Sequence, residues 1–148
     1  MRTRSYQDLI VWQRAMLLTR LSYELTRLLP AEERFGLSSQ IRRAAVAIAA
    51  NIAEGHGSAY RPVFLRHLSI AHASLVELEC HLLIAVEVGY VYARDTAALM
   101  ETCDAVSRML RAIRRTLGEQ SSRRSTLDAR DSTPQHTARR NCSQSRIG

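Results

Sequence analysis

The stretch Gln40-Ile41-Arg42-Arg43-Ala44-Ala45-Val46-Ala47-Ile48-Ala49-Ala50-Asn51-Ile52-Ala53-Glu54-Gly55 decides the fold of this chain. At about 100° per residue, Ile41, Ala45, Ile48 and Ile52 share one face of a helix, and Arg43, Ala47, Ala50, Asn51 and Glu54 lie nearly opposite. The polar face is thus notched with methyl groups. It reads either as a wetted surface or as a face on which another helix rests closely, with Arg43, Asn51 and Glu54 satisfied by polar partners. Gly55 closes the stretch and is expected to end the helix in the left-handed conformation, with Ser38 as the cap at its start.

Working outward, Tyr6 to Leu29 is helical in pattern and apolar over most of its circumference, and Pro30 stops it. So apolar a helix calls for burial by more than its own bundle, which points to an oligomer interface. After the second helix and His56-Gly57-Ser58, a third runs from about Arg61 to Val88, with Pro62 in its first turn and Gly89 closing it. Phe64, Leu68, Ala71, Leu75, Leu78, Leu82 and Val86 form its core stripe. A fourth begins near Asp95 and ends at Leu117-Gly118, with Cys103, Val106, Leu110, Ile113 and Leu117 as its seam. Four such helices on short connections imply an all-α, antiparallel up-and-down bundle over residues 1–118. A composition with 5% aromatics and 6 glycines agrees with that class. From Glu119 onward the chain is rich in Ser, Thr and Arg, and residues 119–148 read as a disordered basic tail.

The formal charge of +7 comes from arginine alone, since the 148 residues include no lysine. Arginine suits phosphate because its planar fork binds bidentately, although a compositional bias explains the same absence. On the fourth helix Asp104, Arg108, Arg111 and Arg115 align, with Arg114 beside them, and Arg123 and Arg124 follow in the tail. These are the candidate RNA contacts, though cations near a helix C-terminus are also favoured by its dipole as a plain solvated face. Aromatic residues are few, so recognition would rest on phosphate and shape. On the third helix Arg66, Ile70, Ala73 and Glu77 mix charge with small residues, as the Arg43-Asn51-Glu54 face does. The two faces are expected to meet, within a protomer or across subunits.

Catalytic signatures are lacking. The five histidines form no His-x-x-x-His or His-Glu-x-x-His arrangement, and Cys80-His81 cannot comfortably share one metal. Glu77 and Glu79 lie on different helical faces, and Gly55-x-Gly57 lacks the rest of a phosphate loop. We therefore expect no enzyme, no metal and no cofactor. Three cysteines without pairing logic favour a reducing compartment. No signal-peptide core and no uninterrupted apolar run of membrane-spanning length stands out, so the expectation is a cytoplasmic protein without a membrane partner.

Asn51-Ile52-Ala53-Glu54-Gly55, preceded by Gln40-Ile41-Arg42-Arg43-Ala44-Ala45, closely resembles the signature of the four-helix-bundle proteins associated with 23S ribosomal RNA intervening sequences. Asp8-Leu9-Ile10-Val11-Trp12, Phe35-Gly36-Leu37-Ser38-Ser39-Gln40, Phe64 to Ala71 and Ser74 to Glu79 extend the likeness, which covers roughly Tyr6 to Leu117. Departures are local: Ala47 and Ala49 stand where many members carry serine and proline, Tyr60 where a Ser or Thr cap is usual, and Ala73 where glycine is common. The resemblance implies a bacterial four-helix protomer, assembly as a homopentamer, and RNA as the leading partner. Through distant relatives it also implies an alternative role beside the reverse transcriptase of a diversity-generating retroelement. A protein-interaction scaffold without nucleic acid is the third reading. It implies no established activity. Under it, Arg43, Asn51, Glu54, Gly55, Arg66 and Glu77 form an assembly and packing motif.

Overall fold

The computed structural model describes residues 5–131, with side chains described as far as Glu119. Its helices are α1 (Ile10–Thr26), α2 (Leu37–Gly57), α3 (Arg61–Glu87) and α4 (Ala93–Asp131), with short 3-10 turns at Tyr6–Asp8 and Ala31–Phe35. Each helix packs on two others: α1 on α2 and α4, α3 on α2 and α4. Short connections between consecutive neighbours make this an up-and-down four-helix bundle. Its core contains Leu18, Ile41, Ile48, Ile52, Leu68, Leu75, Leu78, Leu82, Val106 and Leu110, all fully buried or nearly so. The expected face of α2 is thus the face that is buried. On α3 the stripe holds from Leu68 to Leu82, but Ala85 takes the last core position and Val86 is half-buried.

Several boundaries differ from the reading of the sequence. The first helix begins later than Tyr6, because Ser5 accepts from Gln7 N–H at 3.2 Å and Asp8 reaches back to Ser5 N–H at 3.2 Å, closing a capped turn before the extended Leu9. It ends at Thr26 because Pro30 has no N–H for the Thr26 carbonyl and disfavours helical geometry at Leu29. At the entry to α2, Gly36 occupies the cap position and Ser38 is buried in the first turn. The free Leu37 N–H is satisfied by the Glu33 carboxylate at 2.7 Å. A Cβ on Gly36 would run into that same carboxylate.

Gly55 does not end α2 in a left-handed turn. It lies within the helix and is buried against α3, where an added Cβ would meet Cβ of His67 at 2.7 Å and Cδ2 of Phe64 at 2.8 Å. Among the described residues only Gly89 has a positive φ, at 79°. There Tyr90 N–H bonds back to the Ala85 carbonyl at 3.0 Å and Gly89 N–H to the Val86 carbonyl at 3.0 Å, the pattern expected of a glycine-closed helix.

Gly118 does not end α4 either, so the helix crosses the expected bundle–tail boundary and continues through Glu119 to Asp131. An interior glycine disfavours helix by only about 1 kcal/mol, too little to stop one already propagating from a packed seam. Residues 132–148, the rest of the expected tail, lie outside the described residues.

The two glycines therefore respond oppositely to alanine. Gly118→Ala, with open space around it, should stabilise the helix by up to about 1 kcal/mol in chemical denaturation. Gly55→Ala should destabilise the fold by about 1 kcal/mol or more, because overpacking against Phe64 and His67 outweighs the propensity gain.

Candidate nucleic-acid interface

The seam of α4 fixes where its arginines point. With Val106 and Leu110 buried and Ile113 and Leu117 packed against the core, Arg111, Arg114, Arg115 and Gly118 run along the flank that faces the start of α3. Arg66 stands across from them, and the five line a groove of about 520 Å³ with Leu65 and Ser69. None of its four guanidinium groups makes an ion pair among the described residues. Arg111 interacts electrostatically with Glu79, a half-buried carboxylate. Burial raises its pKa above the usual carboxylate value and Asp104 adds to this, while His72 and Arg111 pull the other way. Four arginines from two helices line this one groove, and an anion bound there would relieve their mutual repulsion.

Arg108 is exposed on α4 but does not line this groove. Arg123 and Arg124 fall on the last turns of α4, beyond the residues whose side chains are described. Arg66 and Glu77, expected on one face, serve different places: Arg66 joins the α4 arginines, while Glu77 lines a second groove with Arg43 and Ala47. Glu77 is engaged by His81 Nε2 at 3.3 Å.

The signature residues of α2 turn toward α3 of the same chain. Asn51 donates from Nδ2 to the Ala47 carbonyl at 2.9 Å, and its Oδ1 lies 3.0 Å from Nδ1 of His67. The same nitrogen stands 3.7 Å from the Glu54 carboxylate. A proton on Nδ1 satisfies this arrangement, since both facing atoms are acceptors. In the sequence His67 carries no metal-ligand spacing, and it stands out only within the Phe64–Ala71 stretch of a helix expected to meet the Asn51-Glu54-Gly55 face. Among the described residues no three His, Cys, Asp or Glu side chains stand together as a metal site. Cys80 is exposed, whereas the buried Cys103 has its thiol pKa pushed up to about 12 by burial and then by Glu79 and Asp104.

The second groove, about 670 Å³, was not legible in the sequence. Tyr23 of α1, Arg34 and Phe35 of the 3-10 turn, and Arg42 and Arg43 of α2 surround it. The Arg42 guanidinium lies 4.8 Å from the Tyr23 ring centroid, and its Nε donates to Thr26 Oγ1 at 2.8 Å. Arg34 stands 5.3 Å from the centroid of Phe35, a ring that is 87% exposed. Glu33 anchors this corner: besides capping Leu37, it accepts from the Tyr90 hydroxyl at 2.9 Å.

Apolar surface also remains uncovered elsewhere. Tyr6, Trp12, Met16, Val46 and Ala50 border a shallow hollow of about 300 Å³ on the α1–α2 side. The outer face of α3 presents Ile70, Val76, Leu83 and Ile84, each 40% exposed or more. That helix is long and apolar enough, by length and composition, to cross a membrane. Polar residues such as His72 and Glu77 interrupt its apolar run, while its mean hydropathy remains high. A third of that apolar stretch is buried inside the bundle.

Fold and grooves together define a helical bundle with an arginine-lined surface. The chain belongs to the 23S rRNA-intervening sequence protein family, whose model matches residues 7–112. The crystal structure of a protein of unknown function from the S23 ribosomal protein family of Bacteroides thetaiotaomicron has the same fold. It is 23% identical, with a TM-score of 0.66 over 70% of this chain and 97% of that one. No protein of curated function matches the chain.

Glu33 offers a direct check on the corner. Its pKa lies below the ordinary 4.5 because Leu37 N–H and then Tyr90 O–H donate to it, so its stabilisation is full above 4.5 and fades as pH falls through the lower folded value. Glu33→Gln should therefore lower the thermal midpoint at neutral pH, and the gap from the unsubstituted protein should narrow as the pH is taken below 4.5 in calorimetry.

Proposed function

We propose that the protein is a non-catalytic, self-associating scaffold that binds RNA through the phosphate backbone, with Arg66, Arg111, Arg114 and Arg115 as its main contacts. The observation that carries this reading is that those four arginines line one groove without an ion-pair partner among the described residues. Family membership supports it, because the family is described by its association with an intervening sequence in ribosomal RNA. A groove of arginines with few rings around it suits the shape and phosphates of folded RNA.

Self-association is supported separately by the apolar hollow between α1 and α2 and by the exposed apolar face of α3. Such surfaces are unfavourable in water and are buried when copies associate. A ring would also repeat the arginine groove and multiply the +7 charge of each chain, raising the attraction for a polyanion.

Fluorescence anisotropy against a folded RNA over a salt series tests the first part. Affinity should fall steeply with salt, and Arg111→Gln with Arg114→Gln should make the log–log slope shallower by roughly 0.7 to 0.9 per lost phosphate contact. Absence of binding at low salt would exclude RNA as the partner. Light scattering tests the second part: a mass several times that of the 16.7 kDa chain is expected, and a monomer at micromolar concentration would rule out self-association.

A further inference from the structure

We propose that the groove between Tyr23, Phe35 and Arg43 binds an unpaired stretch of RNA. Phe35 would be the stacking platform for a base, and Arg42 and Arg43 the contacts to its phosphates. This rests on the reading of the protein as RNA-associated, and adds to it a site specific for single strands.

The argument begins with Phe35. At 87% exposed it is the least covered large apolar side chain described, and nothing among the described residues buries it. It is not on a loose loop. Glu33, two residues earlier, is tied to Leu37 N–H at 2.7 Å and to Tyr90 O–H at 2.9 Å, so the turn that carries the ring is held at both α2 and the α3–α4 connection. Arg34 lies toward one face of the ring, and the high exposure leaves a face open. An open aromatic face on a fixed segment is what an unstacked base uses, and a neighbouring guanidinium strengthens such a platform.

Across the groove, Arg42 is immobilised by Thr26 and by the Tyr23 ring, which presents a second stacked pair. Arg43 is exposed beside it and has no ion pair among the described residues. The one carboxylate on the rim, Glu77, is already engaged by His81. Two rings and three guanidinium groups therefore share one concavity, which suits both the bases and the phosphates of a strand. The α3–α4 groove has arginines but no aromatic residue. The two surfaces are thus suited to different states of RNA, unpaired here and folded there.

The test uses the full chain at low salt, a fluorescein-labelled 12-nucleotide oligouridylate and a 12-base-pair RNA duplex. Phe35→Leu keeps an apolar side chain but removes the ring. It should weaken single-strand binding about tenfold and change duplex binding less than twofold. Arg43→Gln should show the same preference, whereas Arg111→Gln should weaken the duplex at least as much as the single strand. Equal loss on both probes, or no loss on either, for Phe35→Leu would overturn the site. So would a drop in assembly mass for that variant by light scattering, since the ring would then belong to a contact between copies. If the unsubstituted protein binds the duplex alone, only this site fails; if it binds neither probe, the broader RNA reading fails with it.

Discussion

The close approach of α2 and α3 at Gly55 is the constraint on which the remaining structure depends. With a hydrogen in place of a side chain, Gly55 lets Phe64 and His67 rest directly on the α2 backbone. Asn51 then comes within hydrogen-bonding distance of His67, and Glu54 near it. The hydrogen-bonded contact sets the register of the two helices, while the glycine sets their separation. Ile48 and Ile52 on one side and Leu68, Ala71 and Leu75 on the other are consequently sealed from water. Within the chain, Asn51, Gly55 and His67 thus pair α2 with α3.

A second hub lies at the opposite end of α2. Glu33 takes over the capping that Ser38 was expected to supply, and its other oxygen binds Tyr90. One carboxylate thereby joins the turn after α1, the start of α2 and the connection between α3 and α4. The same hydrogen bond that holds Glu33 ionised raises the pKa of the Tyr90 phenol, because the neutral donor is favoured beside the carboxylate. This linkage positions Arg34 and Phe35 at the surface without burying either.

Charge is distributed by the same geometry. Arg111, Arg114 and Arg115 on α4 are displaced from the core seam and line a groove with Arg66, whereas Arg42 on α2 stacks on Tyr23 and Arg43 lines the groove beside it. Glu77 and Glu54 are each drawn to a histidine instead of an arginine. The basic surface consequently keeps its guanidinium groups available to an outside anion.

Helical periodicity was enough to place the buried faces of α2, α3 and α4, because a 3.6-residue repeat determines which residues share a side whatever lies beyond. Ile41, Ala45, Ile48, Ile52, Leu68 and Leu110 follow from it directly and are all at 0% exposure. Helix ends were less legible: Gly118 and Gly55 look alike as glycines after an apolar seam, and both proved to lie inside helices. Whether a glycine closes a helix or admits a neighbour depends on what stands across from it. The sites depend still more on such distances. Arg66 and Arg111 were visible as separate charges, and Tyr23, Phe35 and Arg43 as unrelated residues on a helix, a turn and a helix. Sequence by itself determined the helices and their apolar stripes, since these are local and periodic. Only the tertiary structure decided which arginines converge and which rings stand beside them, since that depends on how the helices are spaced and joined.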